Sequence, residues 1–219
     1  MPSFRTAVID RPTDTVRRLA DFALTIDQIL AIRDAAKAAA DDASPLMPLN
    51  APGTLAYIHG VDALRRQLLD GEWEIDRTLG VEAVINRRLA IRIAFQNVDQ
   101  SCDAVFPPRP RSDKGSGAAK LCALPLFEHF GVILETDWER VPGSSLEDDD
   151  PDSVTTYFVM VGEDGSVELS SPVIDQKKYV GFRERIFVDR PDGEWAIGSP
   201  ADEGPVDGFD VEVVFKEAS

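Results

Sequence analysis

Residues 81–100 read VEAVINRRLAIRIAFQNVDQ, and their pattern decides the fold. From Leu89 onward apolar side chains recur at every second position, while Arg92 and Gln96 take the opposite side. Successive residues of a strand point to opposite faces of its sheet, so this alternation predicts a strand with one buried and one polar face. The basic loop, residues 107–120 (PPRPRSDKGSGAAK), comes soon afterwards, and there we first expect a site.

The overall composition is that of a globular protein. The chain has 219 residues, of which 43% are hydrophobic, and a chain of this size buries roughly 70% of its unfolded surface. No apolar run approaches the ~20 residues that a membrane-spanning helix needs. Residues 1–12 (MPSFRTAVIDRP) lack the apolar core of a signal peptide, so we expect a cytoplasmic protein that does not enter a membrane.

The negative charge is concentrated in the second half of the chain. The net charge is −16; residues 1–100 carry 12 basic and 14 acidic side chains, whereas residues 101–219 carry 11 and 25. A strongly acidic protein repels the phosphate backbone at long range, so generic nucleic-acid binding is disfavoured. The same charge can attract a basic partner, imitate a nucleic acid, or simply keep the protein soluble.

The order of the predicted elements indicates the α+β class, with N-terminal helices followed by a mainly antiparallel β-sheet. Helices are expected after Pro12, from Thr25, whose spacing to Gln28 is that of a capping box, and over 52–69. Further on, the turn GEDG predicts a hairpin. The strands are expected at 73–76, 81–85, 89–98, 132–138, 154–161, 166–173, 179–188 and 207–215.

The Pro-rich connector SPLMPLNAPG is the best early boundary in the chain. It divides the sequence into a helical N-terminal segment, residues 1–49, and an α+β domain, residues 50–219. A single domain throughout is the alternative.

The basic loop is the first candidate site, for an anion. Its glycines precede a predicted helix start, where free backbone N–H groups can bind phosphate or carboxylate. The loop does not match the P-loop spacing G-x-x-x-x-G-K-[ST], and an exposed connector without a ligand is the alternative interpretation. The candidate ligand-binding residues are Arg88, Arg92, Arg109, Arg111, Lys114 and Ser116.

Acidic side chains on the predicted sheet form the second candidate site. Glu82 and Asp99 are the candidates for an acid, a base or a Mg²⁺ ligand. No Glu-x-Lys pair accompanies them, and ordinary solvent-facing acids explain them equally. The acidic loop at 141–152 lacks the spacing of a calcium site, which leaves a solvated loop or a patch for a basic partner.

Metal and nucleophile signatures are missing from the sequence. Cys102 and Cys122 are not part of a CxxC pair, and only two histidines, His59 and His129, accompany them. No G-x-S-x-G motif occurs. We therefore expect no resident metal or cofactor and free thiols, while the spacing leaves open whether the two cysteines meet.

Three functional hypotheses follow, and the first is an acidic interaction protein that binds another macromolecule, possibly a basic protein, without catalysis. The alternative is an enzyme or sensor that binds a phosphate-bearing ligand, such as a nucleotide or nucleic acid, through loop 107–120, with Mg²⁺ only in this case. The second alternative is an acidic nucleic-acid mimic that blocks a DNA- or RNA-binding protein.

Overall fold

In the computed structural model the described residues are 6–69, 71–122 and 154–190, and they form one sheet with helices on both faces. The helices are α1 (Pro12–Asp21), α2 (Ile26–Asp41), α3 (Ala51–Leu68) and α4 (Ser116–Leu121), with a 3-10 turn at Thr78–Gly80. The strands are β1 (Ala7–Ile9), β2 (Glu74–Asp76), β3 (Ala83–Asn86), β4 (Ile91–Asn97), β5 (Thr155–Val161), β6 (Val167–Asp175) and β7 (Lys178–Asp189).

The α+β class is confirmed, but the sheet is mixed and not mainly antiparallel. Its strand order is β1-β7-β6-β5-β4-β3-β2, and both β1–β7 and β4–β5 run parallel. The helices are not confined to the N-terminus either, because β1 precedes α1 and α4 follows β4. A parallel pair needs a long crossover, so neither parallel partner is close in sequence and local patterns cannot reveal it.

β4 lies inside the sheet, as its alternation predicted, but both of its faces are covered. Ile91, Ile93 and Phe95 are buried beneath the helices. On the other side Arg92 is only 3% exposed, so the polar face that the alternation predicted is also buried there. The reason is that part of the chain between β4 and β5 folds back over this side of the sheet.

The three longer helices pack on one side, which we call the helical face. α1 contacts β7, α2 contacts β6 and β7, and α3 contacts β3 and β4. The predicted capping box of α2 is present, since Thr25 and Gln28 exchange both hydrogen bonds. α3 approaches β4 closely at Gly60, where an added Cβ would lie 2.5 Å from the ring of Phe95. This contact leaves no space for a larger side chain.

Tight turns join the last three strands. The predicted GEDG hairpin between β5 and β6 is confirmed, with Gly165 in the left-handed region at φ +89°. The β6–β7 turn uses Gln176 and Lys177, both also at positive φ, as a twisted two-residue hairpin requires. Expected strands 132–138 and 207–215, and the acidic loop 141–152, lie outside the described residues.

A membrane-spanning helix was not expected from the sequence. Among the residues that the structure describes, every helix is too short or too polar to cross a membrane.

Candidate functional site

Residues 98–122 cover the sheet side opposite the helices, which we call the opposite face. The segment is attached at its start, where the Val98 N–H donates to the Val161 carbonyl of β5 at 3.0 Å, and near its end, where the Lys114 N–H donates to the Lys177 carbonyl at 3.1 Å. α4 then places Cys122 in a second apolar cluster. The members of this cluster from the sheet are Ala83, Ala94, Phe158, Met160, Ile174 and Phe182.

Lys114 is buried in this layer, with 7% of its surface exposed. Its Nζ donates to Oε1 of Gln96 and lies 5.4 Å from the ring centroids of both Phe158 and Tyr179. No ion pair found among the described residues includes it. Burial disfavours the charged amine and lowers the pKa of Lys114 from 10.5 to about 8.

Lys114 lines a cleft of about 680 Å³, which we call the Lys114 cleft. Residues at the start of α3 and in the 3-10 turn also line the cleft. Leu49, Tyr57 and Leu79 line the cleft and are also exposed, so they form an apolar rim. The volume lies within the range of small-molecule sites, about 300–1,000 Å³. A lysine and exposed apolar side chains in one cleft suit a ligand with an anionic end and an apolar part.

The walls of the cleft are held together by a backbone contact. Gly117 of α4 lies against the carbonyl of Leu79, so closely that an added Cβ would collide with that oxygen. Leu79 itself has φ +54° and ψ +25°, a left-handed conformation that is rare for a bulky residue. Since α4 and the 3-10 turn are packed so tightly, the side of the cleft that they form is well defined.

Two of the predicted anion ligands, Arg111 and Lys114, do line the cleft. Arg111 also pairs with Glu163 at 3.1 Å. Arg109 lines a neighbouring groove with Lys177. Lys114 is therefore the predicted cation that both lines the cleft and has no acidic partner among the described residues.

The other predicted anion ligands lie elsewhere or at the margin. Arg88 pairs with Glu72 in the turn before β4, at the opposite end of that strand from the basic loop. Arg92 pairs with Asp76 in the interior of the opposite face. Ser116 begins α4 between two cleft-lining glycines. The structure thus does not bring the six predicted residues into one basic cluster.

The candidate carboxylates occupy different positions. Glu82 lines the cleft and accepts hydrogen bonds from Arg65 and Arg77, and the Arg65 bond is the main reason that its pKa is lowered. Asp99 accepts the backbone N–H of Arg109 at 2.7 Å and closes the loop after β4. Within ranges 6–69, 71–122 and 154–190, no group of three or more His, Cys, Asp or Glu side chains is placed to hold a metal.

Sequence reasoning missed Gln96 as the partner of Lys114, and Leu49, Tyr57 and Leu79 as the rim. Gln96 carried a partial signal, because it lies on the polar side of the alternating strand. Leu49 carried another, since an apolar residue in a Pro-rich connector has no obvious core to enter. Neither signal indicates the distant segment that completes the cleft.

The opposite face also holds a buried ion pair, whose contacts are with other groups of the protein. Glu168 and Arg185 form an ion pair at 2.6 Å, with both side chains almost fully buried. Glu168 also accepts the backbone N–H of Cys102, and Arg185 donates to the Asp103 carbonyl. The pair therefore attaches the start of residues 98–122 to the sheet, which is a structural role.

The two cysteines are buried and free, and do not form a disulfide. Cys102 contacts the carbonyls of Val167 and Asp189, whereas Cys122 belongs to the apolar cluster. Burial is the main cause that raises the pKa of each thiol to about 12. Neither thiol has the lowered pKa of a reactive cysteine.

Comparison of the chain with protein-family models, with curated proteins and with solved structures gives no match.

Proposed function

We propose that this protein binds an anionic ligand in the Lys114 cleft, as a binding or sensor protein and not through catalysis. One observation carries the proposal: a buried lysine with no acidic partner among the described residues lines a cleft of about 680 Å³.

An ammonium in this position is unfavourable for folding unless something compensates its charge. Removing a charged group from water without a counter-charge costs several kcal/mol or drives it toward its neutral form. Among the described residues Lys114 has one hydrogen-bond acceptor, Gln96, and two aromatic neighbours. A bound anion would supply the missing charge. Strongly perturbed lysines in clefts are a recognised mark of functional sites.

The remaining cations near the cleft contribute little free charge. Arg111 is paired with Glu163, and Arg65 and Arg77 share Glu82. Ligand binding should therefore depend on Lys114 far more than on the rest of the basic loop.

The test is thermal unfolding of the parent protein, Lys114→Met and Lys120→Met with a panel of anions. The panel contains acetate, octanoate, octyl phosphate, inorganic phosphate and nucleotides with and without Mg²⁺. A ligand at about 100 times its Kd adds about 2.7 kcal/mol to the stability of the folded state. At least one anion should stabilise the parent and the Lys120 variant, but not Lys114→Met. Silence across the panel, or equal shifts in all three proteins, would refute the proposal.

A second candidate function is binding of another protein, and exposed apolar side chains favour it. Leu46 is 96% exposed, and Leu49 and Met47 in the same connector are exposed too. Contiguous exposed apolar groups mark interaction surfaces. Most of the acidic residues that would attract a basic partner or imitate a nucleic acid lie outside the described residues, which hold only 8 of the 25 acids of residues 101–219.

This candidate is tested by affinity capture under gentle salt with the parent, Leu46→Ser/Leu49→Ser and Val16→Ser. Val16 is an exposed apolar control on α1. A specific partner should be lost only from the double variant. If that partner binds nucleic acid and is released by moderate salt, the mimic hypothesis gains support. Recovery of no partner, or equal recovery with all three proteins, would argue against this function.

A further inference from the structure

We infer that the ligand of the Lys114 cleft is a small monocarboxylic acid with an apolar body, bound with its carboxylate at Lys114 and its body against the apolar rim. This inference rests on the proposed anion-binding function and specifies its ligand class.

The hydrogen-bonding capacity of Lys114 favours a carboxylate. A lysine ammonium has three N–H donors, and one of them is taken by Oε1 of Gln96. The other contacts found for Nζ are with the aromatic rings of Phe158 and Tyr179, neither of which is a full acceptor. Two donors therefore remain for two acceptor oxygens. The amide N–H of Gln96 is not available to the ligand, because it donates to the Asn97 carbonyl at 2.7 Å.

The charge balance of the cleft favours a single negative charge. Glu82 is compensated by Arg65 and Arg77, and Arg111 by Glu163. The exposed Asp113 also lines the cleft and adds a negative charge, which disfavours a second charge on the ligand. A phosphate monoester carries nearly two charges at neutral pH, and its second charge would find no uncompensated cation among the described residues that line the cleft. A monocarboxylate matches Lys114, the cleft cation that has no acidic partner among the described residues.

The apolar residues that line the Lys114 cleft favour a ligand with an apolar body. Leu49, Tyr57 and Leu79 are exposed to solvent in the ligand-free protein, and Phe95 and Phe158 line the interior of the cleft. Covering such groups with an apolar chain removes carbon surface from water, which favours binding. A small hydrophilic acid such as acetate would leave the rim uncovered.

The affinity for the carboxylate should also decrease as the pH rises. The titratable or charged groups that face Lys114 or line the cleft are Glu82, Arg111, Asp113, Cys122 and Tyr179. In the free protein Lys114 has a pKa of about 8, whereas a bound carboxylate would hold the proton on the amine. Binding should therefore be strongest below pH 8. It should weaken by up to about tenfold for each pH unit above that.

The test is isothermal titration with ligands that share one body and differ in their charged group: octanoate, octyl phosphate, octylamine and octanol, with acetate and butyrate as shorter acids. Octanoate should bind at pH 7, octanol should bind at least tenfold more weakly, and octylamine should not bind. Each added CH₂ should raise the affinity of the acids about three- to fourfold until the cleft is filled. The affinity of octanoate should fall between pH 8 and pH 10.

Two variants separate the charge from the apolar rim. Lys114→Met should abolish carboxylate binding. Leu49→Ser/Leu79→Ser should keep weak binding of acetate but lose the gain with chain length. Octyl phosphate binding tenfold more tightly than octanoate, or acetate binding as well as octanoate, would overturn the ligand class while leaving an anion site. If no anion bound at all, the proposed function itself would fail.

Discussion

Replacing Lys114 with methionine should stabilise the ligand-free protein at neutral pH. Methionine has a similar length and no charge, so it removes the buried ammonium without opening a large cavity. Burial lowers the pKa of Lys114 from 10.5 to about 8, and 1.36 kcal/mol per unit makes the cost of the charged form about 3 kcal/mol at pH 7. The variant also loses the hydrogen bond to Gln96, which destabilises it by about 1 kcal/mol and offsets part of this gain. The expected net gain is about 2 kcal/mol.

The difference should disappear as the pH rises. The unfolded chain keeps the Lys114 proton up to about pH 10.5, whereas the folded protein releases it near pH 8. The unfolded state thus holds more protons between these values, and the parent gains stability relative to the variant by about 1.4 kcal/mol per pH unit. Below pH 8 the difference should be constant. Other titrating groups are common to both proteins and largely cancel in the comparison.

Urea unfolding of both proteins at pH 7 and pH 10 measures these free energies by linear extrapolation. Lys120→Met, at an exposed position on α4, is the control and should change stability by less than about 0.5 kcal/mol at either pH. A Lys114 variant less stable than the parent at pH 7 would refute the reasoning. So would a stability difference that does not change with pH, because the lysine would then be compensated in the folded protein.

Three further predictions concern the core and the thiols. Gly60→Ala should destabilise the protein by about 1–3 kcal/mol, because the new methyl would lie 2.5 Å from the Phe95 ring; chemical unfolding measures this. Glu168→Gln should cost about 3–5 kcal/mol in the same assay, because it leaves the buried Arg185 without its counter-charge. Both cysteine thiols should resist a disulfide reagent at pH 8 in the native protein and react fully in denaturant, because their pKa is raised to about 12.

The Gly60 and Glu168 substitutions each have a matched control. Gly53→Ala lies on the same helix as Gly60 with no atom within 4 Å of the new methyl, and should be neutral or stabilising. Glu163→Gln removes an exposed partner of Arg111 and should cost less than about 1 kcal/mol. Equal effects within either pair would contradict the packing or the ion-pair argument. Rapid reaction of one thiol in the native protein would show that the region around it opens readily.

Several elements were predictable from sequence because local chemistry determines them. The capping box of α2 needs only two side chains three residues apart, Thr25 and Gln28. The β5–β6 hairpin needs a turn with Gly165 at a position of positive φ. The alternation in β4 follows from the packing of one strand face against apolar side chains of the helices. In each case the residues that form the feature are neighbours in the chain.

Other features of the fold depend on partners that are far away in sequence. β1 pairs with β7 through Ala7 and Glu184, and β4 pairs with β5 through Ile91 and Thr155. Neither parallel pairing leaves a local signal, and three residues of β1 are too few to show a pattern. The polar side of β4 gave no sign of burial either, because Arg92 is covered by tertiary packing and neutralised by Asp76.

The candidate site likewise combines features that the sequence indicates with features that only the tertiary structure shows. The sequence by itself determined that the basic loop carries Lys114 and Arg111 close to glycines, and it predicted a site in this loop. Only the tertiary structure decided that Arg111 meets Glu163 while Lys114 is buried beside Gln96. The physical reason is that a sequence gives the number and order of charged residues but not their partners. Folding pairs some of these charges and removes others from water. Which charge is left without a partner depends on the segments that the fold brings together.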